Sequence, residues 1–130
     1  METGELRNRL CYWYSAKKSE EFITMRILYA ASEARPFAAS GGLADVAGSL
    51  PKALCAAGEE ACVVMPYYVN SFKPEQKEKM NYITNFTVPV GWRSQYCGLF
   101  SQQVDGVTYF FIDNEFYFKR DNGLYGYYDD

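Results

Sequence analysis

Histidine is absent from the 130 residues. That removes His-ligated zinc, Ser–His triads and imidazole acid–base chemistry from anything these residues do alone. No stretch approaches the ~20 consecutive apolar residues of a membrane-spanning helix. No two of the four cysteines, Cys11, Cys55, Cys62 and Cys97, have C-x-x-C spacing. Neither a metal site nor a disulfide framework is indicated. Cys55 and Cys62 lie in apolar surroundings, which predicts buried thiols in a reducing, cytoplasmic compartment. A positive excess is missing too. Thirteen Lys and Arg against sixteen Asp and Glu leave a net charge of −3, which carries no footprint for nucleic acid. Residues 1–24 lack an apolar run of signal-peptide length and carry Glu2 and Glu5. They read as an N-terminal extension ahead of one domain over 25–130.

What is present suits one globular domain. Hydrophobic residues make up 48% and charged residues 22%. The run Arg26-Ile27-Leu28-Tyr29-Ala30-Ala31 reads as a buried strand. Pro36 and the pair Gly41-Gly42 mark a loop. Leu43, Val46, Ala47, Leu50 and Leu54 then recur at helical spacing and form one face of a helix. Ser40, Gly41 or Gly42 is its N-cap, Gly58 its stop, and Pro51 is expected to kink or split it. Cys62-Val63-Val64-Met65 is a second apolar strand. Strand, loop, helix and strand make a right-handed βαβ unit with parallel strands.

A polar stretch after Pro74 predicts one or two helical turns, with its Lys and Glu residues on a solvated face. Residues 82–113 read as an antiparallel meander, turned at Gly91-Trp92-Arg93 and by the hairpin signal Asp105-Gly106. The aromatic run from Phe110 to Phe118 reads as core strand followed by a packed turn. The last residues, with Asp129 and Asp130, read as a loop within a larger α/β domain.

The segment that carries chemistry is Ser40-Gly41-Gly42-Leu43-Ala44-Asp45-Val46. Glycines without Cβ atoms let a ligand approach the backbone. The first amides of the helix, with the positive end of its dipole, favour phosphate or a polyhydroxylated sugar. Asp45 is placed to accept hydrogen bonds from hydroxyls. A purely structural reading stands beside this one, because Gly-Gly also makes tight βα turns and Asp also complements a helix dipole.

Met25 to Phe37 followed by Gly41 to Leu54 closely resembles the N-terminus of bacterial glycogen synthases and plant starch synthases. The pattern S-E-x-x-P-F…G-G-L-A-D-V carries the likeness. It continues through Val63-Val64-Met65-Pro66-Tyr67-Tyr68, Tyr109 to Asn114 and Gly123-Leu124-Tyr125-Gly126. The resemblance implies part of the Rossmann-like N-terminal domain of a GT-B glycosyltransferase, a parallel βαβ unit plus an antiparallel meander. It implies retaining transfer of glucose from ADP-glucose (UDP-glucose in some members) to the non-reducing end of an α-1,4-glucan, with no cofactor. Ser40, Gly41, Gly42 and Asp45 would then form the loop at the donor phosphate and sugar. Tyr125 falls near a family tyrosine that faces the cleft; a packed surface aromatic is the competing reading.

Two departures accompany the likeness. The family lysine before the Gly pair is replaced by Ala39. Losing such a cation would cost ~2–4 kcal/mol of transition-state stabilisation, by analogy with one oxyanion donor. The resemblance also implies a missing C-terminal nucleotide-binding domain, so these residues are expected to be inert alone. The alternative is a non-catalytic glucan-binding or regulatory relative. An ordinary dinucleotide or P-loop domain is disfavoured, since neither G-x-G-x-x-G nor a Walker motif follows the first strand.

Overall fold

The computed structural model describes residues 23–121 and 123–125. The expectations for Cys11, for the extension up to residue 22 and for residues 126–130 lie outside them. In chain order the elements are β1 (Arg26–Ala30), α1 (Gly42–Ala56), β2 (Glu60–Pro66), α2 (Pro74–Glu78), β3 (Asn81–Val90), β4 (Arg93–Val104), β5 (Val107–Asp113) and α3 (Glu115–Phe118). They form one mixed sheet in the order β1-β2-β5-β4-β3. β1 pairs parallel with β2, and β2 parallel with β5, whereas β5-β4 and β4-β3 are antiparallel. The βαβ unit and the meander are therefore joined through β5, not laid side by side.

Local rules explain the joints. Asp105 and Gly106 take φ of 51° and 80°, the two left-handed residues of a two-residue hairpin. α1 ends in a Schellman arrangement: the Gly58 amide donates to the Cys55 carbonyl and the Glu59 amide to the Leu54 carbonyl, both at 3.1 Å. Gln76 ties α2 down by accepting from the Lys73 amide at 2.8 Å and donating to the Pro36 carbonyl at 3.0 Å.

Several expectations are corrected. β1 is an edge strand of alternating exposure, with Leu28 65% exposed, rather than a buried one. Among the described residues only β2 pairs with it, and strand order is not written in an apolar run. Pro51 does not split the helix: α1 is continuous through it, and the proline is fully buried. Burial of the ring against the core offsets the one lost backbone bond.

The helix rests only in part on the expected stripe, of which Ala47 is buried and Leu54 half-buried. Ala44, Ala47 and Pro51 are buried, while Leu43, Val46 and Leu50 are exposed. Small side chains let α1 come close to the chain beneath. A Cβ on Gly48 would stand 3.0 Å from the Arg35 carbonyl oxygen. Cys55 and Cys62 are half-buried rather than buried, and among the described residues only Cys97 is a buried cysteine. β3 has nearly every residue exposed, so its alternation marks a strand but no core face.

The core sits where β2 and β5 meet the loop after β1. Val63, Met65, Val107, Tyr109 and Phe111 alternate along the two strands and are all buried. Phe37 from the loop and Phe72 from the segment before α2 close over Phe111, with ring centroids at 4.7 Å and 5.1 Å. Phe116, by contrast, is 70% exposed, so the packed turn expected after β5 holds only in part. It forms the short helix α3 instead, capped by the Asn114 side chain accepting from the Tyr117 amide at 3.1 Å.

Candidate functional site

Parallel strands put their C-terminal ends at one edge of the sheet, and ligands of such sheets bind there. In this chain the segments following β1, β2 and β5 share that edge. After β1 the chain turns inward. Ala34, Phe37 and Ala38 are buried, and the Phe37 and Ala38 amides both donate to the Ala34 carbonyl. It then rises into Ala39, Ser40, Gly41 and Gly42, all exposed. A buried base thus carries an exposed crest that leads directly into α1.

The crest is open at the two glycines. A Cβ built on Gly41 or Gly42 would meet nothing within 4 Å. Gly41 is the N-cap with φ of −167°, extended backbone that any residue adopts, and no side chain caps the helix. Neither packing nor backbone strain within these residues calls for glycine here. The Ala44 amide already donates to the Gly41 carbonyl at 3.2 Å.

Ser40 is not the cap that its residue type allowed. Its amide and its hydroxyl both donate to the Glu33 carboxylate, at 2.6 Å and 2.7 Å. Asp45 stands in the first turn of α1, where an acid complements the dipole. Its carboxylate accepts from the Arg35 guanidinium, and both side chains are more than half exposed. An exposed pair of this kind contributes about 1 kcal/mol at most, so it leaves the carboxylate available to a competing hydroxyl. Ala39 presents no charge at the crest, and Arg35, four residues earlier, is the nearest cation in sequence.

Tyr125 reaches the same edge from the far end of the described chain. Its hydroxyl lies 2.6 Å from Ser32 Oγ, and the Tyr68 hydroxyl donates to the Ser32 carbonyl at 2.9 Å. Tyr109 supports the loop from below, donating to the Arg35 carbonyl at 3.1 Å. Burial, and secondly Asp105, raise the Tyr109 phenol above its ordinary value, so it stays a donor. Ser40, Gly41, Gly42 and Asp45 are therefore contiguous. Tyr125 is brought to Ser32 behind them. Glu33, Arg35, Ser32 and Tyr68 were not singled out by sequence. For Ser32 and Glu33 the available signal was the S-E of the S-E-x-x-P-F pattern, which carried the likeness but assigned neither residue a role.

Asp113 ends β5 at this edge. Burial, and then the Glu115 carboxylate, raise it above 3.8. A raised carboxyl holds its proton more tightly folded than unfolded. Its contribution is complete at low pH and is lost as pH rises through the folded value. Asp113→Asn should remove that loss. Urea unfolding at several values between about pH 3 and pH 7 should show the variant gaining on the native chain as pH rises, then levelling off. A difference that stays flat with pH would count against it. The Cys97 thiol is also raised, by burial first and Asp113 second, which makes it a poor nucleophile. Among the described residues no group of three His, Cys, Asp or Glu is arranged to hold a metal, and no helix is long and apolar enough to cross a membrane.

Comparison with known proteins agrees with this arrangement. A family model described as the starch synthase catalytic domain matches residues 26–130. A glycogen synthase of Caldicellulosiruptor bescii is 59% identical over 106 residues, covering 82% of this chain and 22% of that protein. A glycogen synthase of Geobacillus stearothermophilus is 57% identical over 106 residues, with 82% and 21% covered. Among solved structures, the catalytic domain of starch synthase IV from Arabidopsis thaliana, bound to ADP and acarbose, superposes with a TM-score of 0.71 at 23% identity. That match covers 82% of this chain and 22% of the plant chain, and it supports the fold. The chain spans about a fifth of the length of the relatives it matches.

Proposed function

The chain belongs to the starch synthase catalytic-domain family, and from that premise we propose that it forms the donor-loop part of a retaining glucosyltransferase. The whole enzyme moves glucose from ADP-glucose to the non-reducing end of an α-1,4-glucan in the cytoplasm. The observation that carries this reading is the Gly41-Gly42 crest. Two glycines stand where neither space nor backbone angle within the chain calls for them. Close approach of something outside these residues accounts for both.

In this reading the Gly41 and Gly42 amides and the uncapped N-terminus of α1 face the diphosphate of the donor. Negative charge grows on that diphosphate as the glycosidic bond breaks. Fixed N–H groups stabilise it without reorganising. Asp45 accepts from a sugar hydroxyl, exchanging its exposed pairing with Arg35. Tyr125 borders the cleft through the Ser32 contact. The acceptor glucan and the nucleoside come from the same edge of the sheet and from protein beyond these residues.

Ala39 favours a second reading, a relative that binds glucan without turnover. One assay separates the two. The complete reading frame is tested for nucleoside diphosphate release with ADP-glucose and glycogen, as the native chain and as Ala39→Lys. The native enzyme is expected to turn over, with the lysine raising kcat by up to about 10²–10³-fold, the scale of one lost cation contact. Turnover by the lysine variant alone would overturn the proposal in favour of the non-catalytic relative.

A further inference from the structure

We propose that Glu33 is a positioning residue that sets the place of the Gly41-Gly42 crest at the N-terminus of α1. This rests on the donor-loop reading above. Glu33 is 3% exposed, and it has no ion pair to a cation among the described residues. A buried carboxylate without a cation is a cost that a neutral or apolar residue would avoid. What it makes instead is two charge-assisted bonds to one residue, Ser40, through the amide at 2.6 Å and the hydroxyl at 2.7 Å.

These bonds close an arc from Glu33 to Ser40, seven positions apart in the chain. The arc's base is rigid, because Ala34, Phe37 and Ala38 are buried and bridged, Ala34 to Ala38. Its top, from Ala39, is exposed. The carboxylate is the strut between them. It acts at the last residue before the crest and so fixes where the Gly41 and Gly42 amides point.

The second consequence concerns the hydroxyl. The N-cap position is Gly41, which has no side chain to offer the first amides of the helix, and Ser40 stands one residue before it. Here the hydroxyl is held by Glu33, and α1 has no side-chain cap. Those amides are then not contested by a neighbouring oxygen when an anion arrives. Glu33 touches neither donor nor acceptor in this scheme; it works through Ser40.

The test uses the full-length protein with Glu33→Ala, Glu33→Gln and Ser40→Ala, and two readouts. The first is hydrogen exchange of the Ser40 to Leu43 amides without substrate. Glu33→Ala should speed exchange at Ser40 by about tenfold or more, and Glu33→Gln, which keeps an acceptor, much less. The second is release of nucleoside diphosphate. Glu33→Ala should lower kcat by roughly 10²-fold, the scale of an ångström-sized misplacement, with KM for glucan unchanged. Glu33→Gln should recover most of it, and Ser40→Ala should fall between.

Unchanged exchange at Ser40 in Glu33→Ala overturns the proposal. So does a Glu33→Gln variant as slow as Glu33→Ala, or a loss shared equally with KM for glucan. Should Glu33→Ala not fold, Ser40→Ala reads the same pattern at smaller size, and its absence there overturns the proposal equally. A native protein that releases no diphosphate defeats the donor-loop reading, and the exchange result alone then decides the role of Glu33.

Discussion

Replacing Gly42 with alanine should leave the fold intact and stop the chemistry. An added Cβ meets nothing within 4 Å, and Gly42 is the first residue of α1 with ordinary helical backbone. Alanine is the better helix former, so stability should stay level or rise, by up to about 1 kcal/mol. The same methyl would stand in the space above the crest, between the first helical amides and an approaching diphosphate. Losing one such donor costs about 10²–10³ in kcat, or ~2.7–4 kcal/mol of transition-state stabilisation. Denaturant unfolding and diphosphate release by the full-length protein measure the two halves. Activity within about threefold of native would mean that no ligand approaches that face. Loss of stability would mean that the glycine was structural after all.

Phe111→Ala should be the most damaging single truncation in the core. Phe111 is fully buried in β5, edge-on to Phe37 at 4.7 Å and to Phe72 at 5.1 Å. It joins the sheet to the loop that carries the crest and to the segment leading into α2. A Phe→Ala change at such a site costs ~3–5 kcal/mol, the lost transfer energy plus the cavity left behind. Against a total of about 5–15 kcal/mol for a domain, that removes from about a fifth to all of the stability. The urea midpoint should fall sharply with little change in slope. Phe116→Ala, in the same aromatic run but 70% exposed, should stay within about 0.5 kcal/mol. Equal effects at the two positions would mean that the core has been drawn in the wrong place.

The two phenylalanines illustrate what a single chain reveals. Composition names both as large apolar residues, and the run reads as one cluster. β5 buries Phe111 because it lies between its hairpin partner β4 and β2, and because β2, Phe37 and Phe72 are supplied by distant parts of the chain. Helix α1 repeats the lesson. Its period was legible, yet the stripe that packs is Ala44, Ala47 and Pro51, not Leu43, Val46 and Leu50. Period alone reports that a helix has an apolar side. It does not report how near the opposing sheet will come, and near approach selects the small residues.

By itself the sequence determined the parts governed by neighbouring residues: the βαβ order, the Asp105-Gly106 hairpin, the stop at Gly58 and the Gly41-Gly42 opening of α1. Their φ preferences and capping bonds act over a few residues, so they survive reading in one dimension. Through the S-E-x-x-P-F…G-G-L-A-D-V pattern it also indicated the family. Tertiary structure alone decided that β1 lies at an edge, that Pro51 is absorbed within a helix, that Tyr125 meets Ser32, and that Ser40 is held by Glu33. Each of these outcomes depends on which surfaces exclude water together. That is settled by contacts between segments far apart in the chain, whose pairing no local preference encodes.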